Sequence, residues 1–162
     1  WNRNKKNLGS KKKAFNLNAT SNLAKELSPM IAKKAFEVEV QIEKLGEGVL
    51  VAQGGDTHGW VLFVKDNVAH FVLSLGGKIE TVRANEKLTE KDGKILVKLS
   101  ANGMVDLLAG KRKLGSGKMS SLVKEMPIDG LQVGRDEGGT VGNYKDAFAF
   151  DGKIRKVRIK IN

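Results

Sequence analysis

The chain has 162 residues, 29 Lys and Arg against 18 Asp and Glu, a formal net charge of +11, and no cysteine. That length suits one domain with a sizeable core. The missing cysteine excludes disulfides and thiolate metal sites, and no apolar run is long enough to span a bilayer.

The first 15 residues carry Arg3, Lys5, Lys6, Lys11, Lys12 and Lys13 with no acid, six of the eleven net charges. A basic arm can attract phosphates or sulfates. The plainer reading is a solvated leader over 1–13, ahead of a single domain at 14–162. The start is polar, with no initiator methionine and no apolar signal segment, so a fragment or processed product is expected. Aromatic residues are sparse, and no helix-turn-helix, zinc-finger or RNA-binding signature is visible, so nucleic acid is not an expected partner.

Residues 16–19 suggest a first strand. Residues 21–34 fit a short helix or an irregular crossover, since Pro29 opposes one long helix. Asn18-Ala-Thr20 matches the glycosylation triplet but falls in that strand. The clearest periodicity follows at 36–43. Phe36, Val38, Val40 and Ile42 alternate with Glu37, Glu39, Gln41 and Glu43, which predicts a strand with one wet face. The glutamates read as the solvated face of an edge-like strand. Residues 48–55 and 59–65 are continuous apolar runs, which predict strands buried on both faces. Asp66-Asn67 turns the chain into 68–75, and Gly76-Gly77 into 78–84. A polar loop at 85–94 ends on Asp92-Gly93. Strands are expected at 95–100 and, after Asn102-Gly103, at 104–109, with a weaker one near 111–119. Residues 120–126 fit one helical turn stopped by Pro127. In the last strand Val157, Ile159 and Ile161 share a parity that Ile154 breaks. One extra residue near Arg155-Lys156 would restore it, which predicts a β-bulge. Many short strands joined by glycine and Asx turns make the fold class all-β, an antiparallel sandwich with at most one or two short helices.

Catalytic signatures are absent. No Gly-x-Ser-x-Gly elbow occurs, and two histidines cannot make a three-histidine metal site. Glu37 and Glu39 have the spacing of a glycosidase pair without the surrounding glucanase pattern. Arg135-Asp136-Glu137 offers a carboxylate pair for calcium at Asp136 and Glu137; the plainer reading is an Arg135–Asp136 pair bracing a loop. Sugar binding wants exposed aromatics beside polar groups. Trp60 and Tyr144 are the candidates, burial being the default for Trp60 and exposure for Tyr144. His58 lies in a turn where exposure is expected, and His70 in a strand where packing is. The candidate ligand contacts are His58, Trp60, Arg83, Arg135 and Tyr144. Lys153, Arg155, Lys156, Arg158 and Lys160 would form a basic strand suited to an anionic glycan.

The closing segment runs from Gly130-Leu-Gln-Val-Gly-Arg-Asp-Glu-Gly-Gly139 through a tyrosine-bearing loop to a strand that begins at Asp151-Gly152. It resembles the end of a concanavalin A-like, laminin-G-like jelly roll. Residues 35–162 as a whole resemble the carboxy-terminal domain of planctomycete-type bacterial arylsulfatases. The stretches that carry this are Gly48-Val-Leu-Val-Ala-Gln-Gly-Gly55, Gly59-Trp-Val-Leu-Phe-Val-Lys-Asp66, Ile79-Glu-Thr-Val-Arg83, Asp129-Gly-Leu-Gln-Val-Gly-Arg-Asp136 and Phe150-Asp-Gly-Lys-Ile154, in that order. The resemblance implies a parent sulfuric ester hydrolase that is exported, to a periplasmic or extracellular location, with its catalytic domain upstream. That family's nucleophile is a Cys or Ser two residues before a proline. Leu27 and Glu125 hold those positions here, so the resemblance implies an accessory domain without catalytic residues or cofactor of its own, calcium at the acid pair excepted. The partners it implies are the upstream sulfatase domain and a sulfated or otherwise anionic polysaccharide. The alternative is a stand-alone concanavalin A-like glycosidase or lectin-like module.

Overall fold

The period-two pattern at 36–43 becomes a nine-residue strand in the computed structural model, which describes residues 9–137, 140–142, 144 and 147–162. Arg3, Lys5 and Lys6 of the basic leader, and Gly139 at the end of the glycine-rich turn, lie outside the described residues. The described residues form twelve strands in chain order: β1 Ala14–Leu17, β2 Asn22–Leu23, β3 Phe36–Lys44, β4 Gly48–Gly54, β5 His58–Lys65, β6 Val68–Leu75, β7 Lys78–Arg83, β8 Lys94–Leu99, β9 Met104–Ala109, β10 Arg112–Lys118, β11 Leu131–Val133 and β12 Lys153–Ile161. Two six-stranded sheets result, the first in the order β1-β12-β3-β8-β9-β10 and the second β2-β11-β4-β5-β6-β7. Neighbouring strands are antiparallel throughout, and the sheets face each other as a sandwich.

Alternation decides the core. Phe36, Val38, Val40 and Ile42 are buried between the sheets, and Glu37, Glu39 and Gln41 face outward. β3 is not an edge strand, however. It lies between β12 and β8, and its glutamates are flanked by basic neighbours: Glu37 opposes Lys160 and Lys98, and Glu39 opposes Arg158. Opposite charges directly across strands favour that register. At the centre of the core Trp60 packs on Phe36 and Phe71, with ring centroids 5.3 and 6.2 Å away.

The turns follow the residue chemistry. Asp66 and Asn67 take φ of 53° and 62°, the left-handed pair that matches strand twist in a tight hairpin and that Asx residues tolerate. The bulge expected in the last strand is present: Ile154 opposes Ile42 and Lys156 opposes Gln41, so Arg155 has no counterpart on β3. β4 carries a second irregularity between Val49 and Val51. It turns Leu50 and Val51 into the main core while Val49 and Ala52 join a smaller apolar cluster on the other side.

Two local expectations are corrected. Residues 120–126 form no helix; the described residues contain one 3-10 turn, Lys25–Leu27. The 120–126 backbone bonds elsewhere, Ser120 N–H to Glu80 at 2.7 Å and the Val123 carbonyl to Lys33 N–H at 2.7 Å, which leaves no i→i+4 ladder to form. Asn18 lies beyond β1 in a turn, its side-chain oxygen accepting Thr20 N–H at 2.9 Å. Residues 9–13 lie against the sandwich: Ser10 N–H donates to the Ser28 carbonyl at 2.7 Å, and the Lys12 ammonium stands 5.3 Å from the Phe15 ring centre.

Candidate functional site

The two outer faces of the sandwich differ. On the second sheet, Val49, Ala52, Val61, Phe63 and Val72 point away from the main core, and the chain between β11 and β12 lays Val141, Tyr144 and Phe148 across them. Tyr144 and Phe148 approach Phe63 at 5.4 and 5.8 Å between ring centroids. His70 stacks on the same ring at 4.6 Å, nearly parallel. This roof explains why β4 and β5 are apolar without alternation: each is covered on both faces.

Asp136 holds the roof down. It is 2% exposed, and its Oδ2 accepts Val141 N–H at 2.7 Å and the Tyr144 hydroxyl. Burial pushes its carboxyl above the usual range, with the two hydrogen bonds pulling the other way. Burial and the Asp136 carboxylate together push the Tyr144 hydroxyl up. His70 moves down, chiefly by burial. Arg135 does not brace Asp136 as its sequence position suggests. Its Nε donates to Glu137 at 2.8 Å, and Glu137 N–H reaches Gln132 at 2.6 Å. That hydrogen bonding by Arg135 and Gln132 lowers the Glu137 carboxyl. Calcium takes six to eight oxygens. Asp136 and Glu137, each turned to its own donors, do not fit that demand, and the described residues gather no group of three His, Asp or Glu around one point.

The remaining candidates are scattered. Trp60 is fully buried, and its indole N–H donates to Gln53 Oε1 at 3.0 Å, which removes it from any surface. Gln53 in turn donates to the Pro29 carbonyl at 2.7 Å. Sequence reasoning passed over Gln53, since a single glutamine in an apolar run carries no periodic signal. His58 opens β5 and, contrary to expectation, is largely covered; its Nε2 lies 3.2 Å from Glu125. Tyr144 is half-buried rather than exposed. Arg83 is exposed at the end of β7. His58, Arg135 and the Asp136–Glu137 pair border three separate depressions, so no one cleft gathers them.

Among the described residues, the outer face of the first sheet is open. Two clefts follow β3. One, about 600 Å³, is bordered by Asn16, Glu37, Glu39, Leu96, Lys98, Arg158 and Lys160. The other, about 500 Å³, lies where Gln41 and Ile42 meet the 91–94 loop, the 109–110 turn and the bulge residue Arg155. Along β3 the outward residues Glu37, Glu39 and Gln41 advance roughly 13 Å at about 3.3 Å per residue, which sets the clefts end to end. The basic strand expected from sequence is therefore second from the edge of this sheet, its Lys160 and Arg158 opposite Glu37 and Glu39 of β3, and Lys94 of β8 reaches Glu39 at 3.7 Å. Lys91, Lys94 and Leu96 were not singled out from the sequence. Their shared face follows from the β3–β8 pairing, which no local pattern specifies.

No family model matches the chain, and no curated protein matches it. Solved structures do. The CBM40 of the Ruminococcus gnavus IT-sialidase, bound to alpha2,3 sialyllactose, superposes with a TM-score of 0.61 at 13% identity, over 92% of this chain and 89% of that one. Domains LG4-5 of the mouse laminin alpha1 chain give 0.61 at 13%, over 96% of this chain and 43% of theirs. The NanB sialidase of Streptococcus pneumoniae gives 0.66 at 11%, over 90% of this chain and 26% of that one. At these identities the likeness is one of fold, and the fold is the laminin-G-like jelly roll expected from the closing segment.

Proposed function

We propose that the chain is a non-catalytic carbohydrate-binding module that takes its ligand on the outer face of the first sheet. One observation carries the choice of face. The central strands of the second sheet are roofed by Val141, Tyr144 and Phe148, while the first sheet keeps an open groove of about 600 Å³ lined by Asn16, Glu37, Glu39, Lys98, Arg158 and Lys160. Convergent polar side chains around a half-buried apolar floor, here Leu96, are what a small-ligand site needs. The fold it shares with a carbohydrate-bound module supports the ligand class, although fold alone does not assign function.

The ordered stretches that resemble arylsulfatase accessory domains extend the proposal. In this reading an exported sulfatase domain lies upstream, and the module holds polysaccharide near it. A Cys or Ser two residues before a proline in the upstream part of the full gene supports that parentage, and an unrelated upstream domain removes it.

A glycan array followed by affinity electrophoresis tests the module itself. Leu96→Trp fills the groove and is expected to weaken glycan retention at least about tenfold. Thr81→Trp, on exposed β7 of the other sheet, should bind as the wild type does. The reverse pattern moves the site to the other sheet. No retention of any glycan leaves a packing module, and glycan turnover lost on replacing Glu37 or Glu39 indicates a glycosidase instead.

A further inference from the structure

Among the described residues, the outer face of the first sheet presents no aromatic side chain. Its outward residues on β1, β12, β3 and β8 are polar or charged apart from Ala14 and Leu96. A neutral sugar therefore finds no ring to stack on, and affinity here has to come from hydrogen bonds, above all charge-assisted ones. The second cleft supplies the charge. The bulge in β12 leaves Arg155 without a partner on β3 and sets it beside Lys156, so two successive basic residues stand next to Gln41. Arg155 then borders the cleft together with Lys91 and Lys94.

The acid in that cleft is already engaged. Asp92 is 13% exposed and held by Arg112 Nη2 at 2.6 Å, and it accepts Thr89 N–H at 2.8 Å. Lys94 makes one long contact, 3.7 Å to Glu39. Neither Lys91 nor Arg155 has a carboxylate partner among the described residues. Three cations thus converge on a cleft of about 500 Å³ at one end of the groove of mixed charge, with two of them free to meet an incoming anion. A guanidinium flanked by ammonium groups suits the planar fork of a carboxylate or the oxygens of a sulfate ester.

We infer that this cleft is an anion subsite, and that the module's ligand is an acidic polysaccharide whose sulfate or carboxylate group docks against Arg155, Lys91 and Lys94. This rests on the carbohydrate-binding reading above and narrows it to a ligand class.

The test is retention of the full chain on gels containing a highly sulfated polysaccharide, a polyuronate or a neutral glucan, at low salt and at 0.5 M salt. The wild type is expected to be retained by an acidic glycan, and high salt to release it. Arg155→Ala with Lys91→Ala is expected to weaken that retention about tenfold or more. Lys65→Ala with Lys87→Ala removes the same charge from exposed positions away from the cleft and should bind as the wild type. The sulfated and uronate arms tell which anion is taken, and either one, sensitive to Arg155 and Lys91, supports the subsite. Equal weakening by the two double variants shows only bulk charge and overturns it, as does retention of duplex DNA with the same dependence on Arg155. Equal retention of wild type on neutral and acidic gels overturns the anion subsite while leaving the carbohydrate reading intact; retention on no gel overturns both. All four substituted residues are exposed, so unchanged melting of the variants is expected and is measured alongside.

Discussion

Trp60→Ala is expected to lower stability by about 4 kcal/mol, which for a domain of this size is roughly 8–16 °C in melting temperature. Trp60 is fully buried and packs on Phe36 and Phe71. Removing the indole leaves a cavity that the surrounding strands cannot close, because both sheets are held in register by their ladders. It also strands Gln53 Oε1, which is buried and accepts the indole N–H. Trp60→Phe separates the two contributions. It keeps most of the ring contact and loses only the donor, so a smaller loss of about 2 kcal/mol is expected, the cost of an unsatisfied buried acceptor plus slight underpacking. Thermal or urea unfolding followed by circular dichroism measures both. Melting of Trp60→Phe at the wild-type temperature would show that the Gln53 contact contributes nothing, and a small effect of Trp60→Ala would mean that the core repacks.

Asp136 gives the second large effect, and it depends on pH. Asp136→Ala orphans two donors at once, Val141 N–H and the Tyr144 hydroxyl. The expected cost is about 2 kcal/mol, moderated because the half-buried tyrosine hydroxyl can find water. Asp136→Asn keeps an acceptor and removes the charge. The folded carboxyl titrates above its ordinary range because burial disfavours the ion. A raised acid contributes stability that is present below the unfolded value and lost as pH rises through the folded one. Relative to wild type, Asp136→Asn should therefore gain stability from about pH 4 toward pH 7. Melting curves across that range check the sign. A constant offset between the two proteins would show that Asp136 does not titrate on folding, and a gain toward low pH would reverse the assignment.

Much of the scaffold was legible locally. The parity of Phe36, Val38, Val40 and Ile42 specifies an inner and an outer face without knowledge of any other strand. The parity break at Ile154 announced the bulge for the same reason. Asp66-Asn67, Gly76-Gly77 and Asn102-Gly103 gave the hairpins, since left-handed backbone conformations restrict residue type within a turn. The candidate site was less legible. His58 was expected in an exposed turn; it is largely covered and pairs with Glu125, a residue distant in sequence. Tyr144 was expected to be exposed, and what holds it is Asp136 across the roof. Residues 120–126 had helical composition, but their N–H and carbonyl groups found Glu80 and Lys33, and these long-range bonds overrode a weak local propensity. β3 resembled an edge because its glutamates alternate; its neighbours β12 and β8 carry the lysines and arginine that accommodate those glutamates at the centre of a sheet.

By itself, then, the sequence determined an all-β sandwich, the inward faces of β3 and β12, the turns and the bulge, because these depend on side-chain parity and on backbone preferences a few residues long. Only the tertiary structure decided which outer face is roofed, that Trp60 and Gln53 belong to the core, and that Arg155 meets Lys91 and Lys94 across a cleft. Those outcomes depend on strand order and loop packing, which bring together residues far apart in the chain and leave no periodic trace within any one segment.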